Sequence, residues 1–142
     1  MSFAGHCLCG AVQFESSGPS VFAGNCYCAD CRRESGSGHI TAVAVPDATL
    51  KIQGETRDFT KSSDSGQTIR NTFCPVCGTT LLTHPSGLPG LALLRAGTLD
   101  DVSVVHPQVN MYTACAPEWD QPVAGMIGFP GMAPANFSQR VR

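Results

Sequence analysis

Seven of the eight cysteines in this 142-residue chain fall into three tight groups: Cys7 with Cys9, Cys26 with Cys28 and Cys31, and Cys74 with Cys77. Only Cys115 stands apart. That grouping constrains the fold more than any hydrophobic pattern in the chain. Spacings of CxC, CxCxxC and CxxC let the backbone curl two or three sulfurs around one point, which suits a soft tetrahedral cation such as zinc. Four disulfides explain the pattern less well, because neighbours at CxC spacing rarely bridge each other without strain. For the central group, a redox dithiol at Cys28 and Cys31 or a disulfide staple is the competing reading.

The rest of the composition narrows the setting of these groups. The length suits one domain over residues 1–142, with a modest core that metal staples would reinforce. Lys51 and Lys61 are the only lysines and the formal net charge is −2, so there is no basic footprint for nucleic acid. No apolar run is long enough to predict a membrane span. Met1 to Cys7 lacks the charged and apolar regions of a signal peptide, which leads us to expect a cytoplasmic protein, where paired cysteines are more often ligands than disulfides.

Taken in order, the chain reads as mainly β. His6-Cys7-Leu8-Cys9-Gly10 is a metal-binding turn that runs into a half-buried strand at Val12 and Phe14. Gly18-Pro19 marks a turn, and Val21 to Asn25 leads into the cysteine triple. Ala29 to Glu34 is the one helical piece, one or two turns long, halted at Ser35-Gly36-Ser37-Gly38. Strands are expected over His39–Val45, Thr49–Gln53, Thr56–Thr60, Thr68–Phe73, Thr79–Thr83 and Leu91–Ala96. The fifth of these returns from a Cys74-Pro75-Val76-Cys77-Gly78 knuckle, where glycine permits the tight backbone around a metal. Val102 to Tyr112 holds a further strand. From about residue 113 to 142, four prolines among several glycines predict an irregular tail packed on the sheet, frayed from Asn136 onward.

A closed structural zinc takes four ligands, often as two knuckles from distant parts of the chain. Cys7 and Cys9 with Cys74 and Cys77 would make such a site. Cys26, Cys28 and Cys31 would then form a three-sulfur site with one corner open. Pairing a knuckle with part of the triple instead leaves stray thiols. Zinc bound by four thiolates carries a charge of about −2 and is a poor Lewis acid, whereas zinc bound by three carries about −1 and keeps a place for an incoming ligand. Being soft, that place favours another thiolate, so the chemistry points to capture of a small thiol.

The three groups, read as His6-Cys7-Leu8-Cys9-Gly10, Cys26-Tyr27-Cys28-Ala29-Asp30-Cys31-Arg32-Arg33 and Phe73-Cys74-Pro75-Val76-Cys77-Gly78, resemble the glutathione-dependent formaldehyde-activating enzyme family. That family shares its domain with centromere protein V. The likeness extends to Ser35-Gly36-Ser37 and Ala116-Pro117-Glu118-Trp119, and so covers about residues 5–129. It implies small antiparallel sheets in a zinc-ribbon-like complex β fold. It also implies two zincs per chain: a structural one on Cys7, Cys9, Cys74 and Cys77, and a catalytic one on Cys26, Cys28 and Cys31. The reaction it implies joins glutathione and formaldehyde as S-hydroxymethylglutathione, the reverse sense of a carbon–sulfur lyase. Many members have histidine between the first two cysteines of the triple, where this chain has Tyr27.

Other side chains are candidates for substrate contact. Arg32 and Arg33 would pair with the carboxylates of an anionic thiol such as glutathione, or else are helix-surface charges. Arg70 carries the same ambiguity. The resemblance implies that Trp119 forms a wall over the open zinc; packing the tail into the core is the other reading. Cys115 reads as a small buried hydrophobe, with a fourth zinc ligand or a cap on the open site as the alternative. Among the histidines, His39 follows the triple most closely, although a surface or hydrogen-bonded role suits all four. Asp30 suits a capping role on the short helix, or else a proton acceptor near the metal. Two function classes follow: a zinc enzyme joining or parting a small thiol and a small aldehyde, and a zinc-stabilised binding module without turnover. Exposed strands leave room for a homodimer.

Overall fold

The computed structural model describes residues 2–134 and 136–137. Its first strands are β1 (Phe3–His6), β2 (Gln13–Ser16) and β3 (Phe22–Cys26), followed by helix α1 (Ala29–Ser35). Then come β4 (Ile40–Pro46), β5 (Leu50–Gln53), β6 (Arg57–Ser62), β7 (Thr68–Phe73), β8 (Thr80–Pro85) and β9 (Leu91–Arg95). Two short strands, β10 (Val109–Met111) and β11 (Ile127–Phe129), complete the set. The chain is thus mainly β, with one helix among the described residues. The elements fall into two compact units, one of Met1–Val21 with Val43–Val105, the other of Phe22–Ala42 with His106–Arg142.

In the first unit, β1, β2 and β5 form a three-stranded antiparallel sheet, with Phe3 opposite Ser16 and Phe14 opposite Ile52. Its alternation is the one legible in the sequence: Phe3 and Phe14 are buried while their neighbours along each strand are exposed. β6, β7, β8 and β9 follow as an antiparallel meander in chain order. Between Thr72 and Phe73 the β7–β8 register shifts, just where the chain leaves the ladder for Cys74. Val43, Val45, Leu81, Leu82 and Leu94 are at most 1% exposed and form this unit's core. Burying each aliphatic side chain of this kind stabilises the fold by about 1.5–3 kcal/mol.

The second unit departs more from what the sequence suggested. β3 was not expected, because Phe-Ala-Gly-Asn has little strand propensity. It exists by pairing with β10, Val109 opposite Gly24 and Met111 opposite Cys26, and that pairing is parallel. β11 also runs parallel to β10, so the tail contributes a strand where irregular chain was expected. Parallel pairs need long crossovers, which leave no turn signature to read. Only Val109–Met111 of the strand expected over Val102–Tyr112 forms. Val102–Val104 is instead a 3₁₀ turn capped by the Asp101 carboxylate.

A buried polar cluster locks the β3–β10 register. Asn25 Nδ2 donates to Asn110 Oδ1 at 3.0 Å, and Thr41 Oγ1 donates to Asn25 Oδ1 at 2.6 Å. Sliding the strands by one residue would leave these amides buried without partners, at a cost of about 1–3 kcal/mol each. The fraying expected from Asn136 does not hold at Phe137, which is buried and meets Phe22 edge-on at 4.8 Å between ring centroids. Residues 138–142 of that expectation lie outside the described residues.

Candidate metal centres

In the first unit two knuckles of like construction converge. In one, Cys7 N–H donates to Val12 O and Gly10 N–H to Cys7 O; in the other, Cys74 N–H donates to Thr79 O and Gly78 N–H to Cys74 O. Gly10 and Gly78 have φ of 82° and 78°, a left-handed conformation that side chains disfavour. Local chemistry therefore makes each turn. The fold then brings the four sulfurs of Cys7, Cys9, Cys74 and Cys77 within 4.8 Å of one another.

Cys7 Sγ lies 3.7 Å from Cys9 Sγ, and Cys9 Sγ lies 3.8 Å from Cys74 Sγ. The edge of a tetrahedron with Zn–S bonds of about 2.3 Å is about 3.8 Å, so these two edges match those of a zinc site. Backbone N–H groups of Val12, Val76 and Cys77 donate to the Cys7 and Cys74 sulfurs, partly offsetting the charge that four thiolates would gather. The Thr79 hydroxyl, followed by the Thr79 and Cys9 backbone N–H groups, holds the Cys77 thiol down at about 5. Thr79 Oγ1 also accepts from Leu8 N–H at 3.1 Å, which ties one knuckle to the other.

The second cluster lies wholly within the second unit. The sulfurs of Cys26, Cys28 and Cys31 are within 4.8 Å of one another and all three residues are half-buried. Cys26 ends β3, and Tyr27 N–H donating to Met111 O at 3.0 Å holds the chain beyond it. Cys28 is the N-cap of α1, its sulfur accepting from Cys31 N–H at 3.3 Å. Asp30 therefore does not cap the helix; it sits in the first turn, and Arg32 and Arg33 sit in the last, in the sense that suits the helix dipole. Gly36, in a left-handed conformation, ends the helix.

Three thiols this close share one negative charge. Contacts from Cys26 and then Cys31, with the Cys31 and Asp30 N–H groups, hold the Cys28 thiol far below its ordinary value. The same Cys28 thiolate is the main reason that Cys26 is pushed up, and Cys26 together with Cys28 pushes Cys31 up further. A divalent soft cation would relieve this competition, since all three sulfurs would then ionise onto it. Three donors fit an open zinc site, as four donors fit a closed one.

Of the other residues singled out in the sequence, Arg32 is half-buried and Arg33 exposed, and neither makes an ion pair with a described residue. Trp119 is 71% exposed, which rules out packing of the tail core as its role. Arg70 is a surface charge paired with Asp58 at 3.3 Å. Cys115 belongs to neither cluster and is exposed, so it is not the buried hydrophobe expected from its isolation. Its 3₁₀ turn, Thr113–Cys115, holds it at the surface.

Three histidines are held by carboxylates: His6 by Asp100 at 2.7 Å, His84 by Asp47 at 2.8 Å and His39 by Asp120 at 2.5 Å. The last pair was not legible in the sequence, its members being far apart in the chain. Tyr27 is buried, its ring 4.7 Å from the His39 ring, and burial with the nearby Asp120 charge pushes its phenol up.

The family model for glutathione-dependent formaldehyde-activating enzyme matches residues 2–115, which include all seven clustered cysteines. This chain belongs to that family. Residues 116–142, Trp119 and Asp120 among them, lie outside the matched stretch. The fold is similar to that of a crystal structure of a Rhodobacter sphaeroides protein, a structural-genomics target. It is 23% identical, with a TM-score of 0.56 over 73% of this chain and 91% of that one. Among curated proteins, none matches the sequence. No helix among the described residues is long and apolar enough to cross a membrane.

Proposed function

We propose that this protein is a zinc-dependent enzyme of the carbon–sulfur lyase type that joins or parts a small anionic thiol and a small aldehyde, such as glutathione and formaldehyde. One observation carries the reading: three half-buried sulfurs gathered as one donor set, distinct from a second set of four that is already complete. Zinc, when bound, supplies a soft Lewis acid that draws a thiol in as its thiolate. Cys26, Cys28 and Cys31 would hold it, and Cys7, Cys9, Cys74 and Cys77 would hold the structural ion. Arg32 and Arg33, without carboxylate partners among the described residues, would meet the carboxylates of the thiol.

In the forward direction the thiol loses its proton, and its sulfur attacks the aldehyde carbon to form the carbon–sulfur bond. The carbonyl π pair moves to oxygen, which takes up the proton, so the adduct is the sum of its two reactants. The chain's contribution is to hold the sulfur and the anionic end of the thiol while leaving the carbon accessible.

The test is metal content followed by response to thiol. Protein purified without chelator should carry two zincs per chain, and in the cobalt-substituted form only one site should change its visible spectrum on adding glutathione. Formaldehyde should then be consumed faster than in the uncatalysed mixture, as followed by exchange NMR. Two metals that both ignore glutathione would overturn the enzyme reading in favour of a zinc-stabilised binding module.

A further inference from the structure

The turn that carries Trp119 is tied by contacts in series to Tyr27, the residue between Cys26 and Cys28. It is closed by Asp120 N–H donating to Pro117 O at 3.0 Å, and Gln121 Nε2 donates to the same carbonyl at 2.7 Å. Asp120 Oδ2 accepts from His39 Nδ1, with both side chains less than a third exposed (28% and 22%). The His39 ring lies against Tyr27, which is 2% exposed and stands between Cys26 and Cys28. The Asp120 carboxylate fits only because residue 38 is glycine, since a Cβ there would collide with it.

A half-buried hydrogen bond to a carboxylate is often no more than a structural fastening. Here, however, the fastened turn presents an indole that stays 71% exposed. Folding recovers little apolar burial from that side chain, whereas a tryptophan serving the core would be covered. A large flat side chain left in water on a turn held by a charge-assisted hydrogen bond offers a wall whose backbone is fixed before any ligand arrives. It belongs to the same unit as the three-cysteine site, as do Arg32 and Arg33.

We propose that His39 and Asp120 are positioning residues that hold Trp119 at the rim of the three-cysteine site, where its indole covers the organic body of the thiol. This rests on the reading of that site as one that takes a thiol. Asp120 fixes the turn, His39 fixes Asp120, and Tyr27 gives His39 a rigid buried face to lean on.

Trp119 is the only tryptophan in the chain, so its fluorescence reports on this turn alone. The experiment uses the full chain loaded with zinc, or with cobalt for spectroscopy, and compares wild type with His39→Leu, His39→Gln and Gly38→Ala. Gly38→Ala displaces the Asp120 carboxylate without substituting His39, Asp120 or Trp119. Zinc content and far-ultraviolet circular dichroism select variants that fold.

The anisotropy of Trp119 without ligand should fall in His39→Leu and Gly38→Ala and be restored in part by His39→Gln, which keeps a donor. Glutathione should quench Trp119 in the wild type, and its affinity should weaken about tenfold in the two disruptive variants, the scale of one charge-assisted hydrogen bond. Unchanged anisotropy in both disruptive variants would overturn the proposal, as would wild-type glutathione affinity in both. A cobalt spectrum indifferent to glutathione in the wild type would instead overturn the thiol-site reading, with the anisotropy still deciding whether the latch exists.

Discussion

The pH dependence of metal binding at the three-cysteine site follows from how its thiols share charge. Without metal, Cys28 is held as a thiolate while Cys26 and Cys31 are pushed up and keep their protons. A bound metal needs all three as thiolates, so near neutral pH about two protons leave per metal bound. The logarithm of the apparent affinity should then rise with pH at a slope of about two, roughly 100-fold per pH unit. The sign follows from mass action: protons compete with the metal, so lowering the pH weakens binding.

The assay is a chelator competition with cobalt at several pH values around 7, corrected for the chelator's own protonation. Cys74→Ser protein removes the signal of the other site. Proton release in weak buffer with an indicator dye gives an independent count. A slope near three would mean that no thiolate is preformed at Cys28. A slope near zero or one would mean that Cys26 or Cys31 already ionises in the metal-free fold. Either result would refute the charge sharing described here.

Other outcomes follow from the same geometry. Chelated protein should lose stability as the pH falls from 9 toward 5. Cys77 has a depressed folded pKa of about 5 against an ordinary 9.0, so its contribution is complete above 9 and is lost on passing down through 5; denaturant melts at stepped pH check the sign. Cys7→Ser or Cys74→Ser should leave one tightly held zinc per chain and lower the melting temperature, because binding energy at a structural site is folding energy. Leu94→Ala should cost about 2–5 kcal/mol in urea unfolding, since the site is fully buried, without altering the spectral response of cobalt-loaded protein to glutathione. Replacing Arg32 and Arg33 together by glutamine should weaken glutathione more than a neutral thiol such as 2-mercaptoethanol, as titration of the cobalt spectrum will show.

Much of the metal chemistry was legible because it is local. The CxC and CxxC turns, with Gly10 and Gly78 in left-handed conformations, are dictated within a few residues by covalent geometry. The helix after the triple was legible from its stop at Ser35-Gly36-Ser37-Gly38, although its cap is Cys28 and not the Asp30 expected. β7 spans the residues expected of it, and the alternation around Phe14 placed β2 to within a residue or two. Less was legible wherever partners are remote. β3 has a sequence that favours no strand and owes its form to β10, held in register by Asn25 and Asn110. Cys115 looked buried because isolated cysteines usually are, but its turn lies at the surface.

The sequence by itself determined that seven thiols would be presented in three tight turns, on strands suited to a mainly β chain. The division of the thiols into a set of four and a set of three was expected from their spacing, and the fold brings it about; tertiary structure alone decided that His39 finds Asp120. The reason is physical. A turn closes over a few residues at small entropic cost, whereas joining groups tens of residues apart is settled only by collective burial of strands such as β4, β8 and β9.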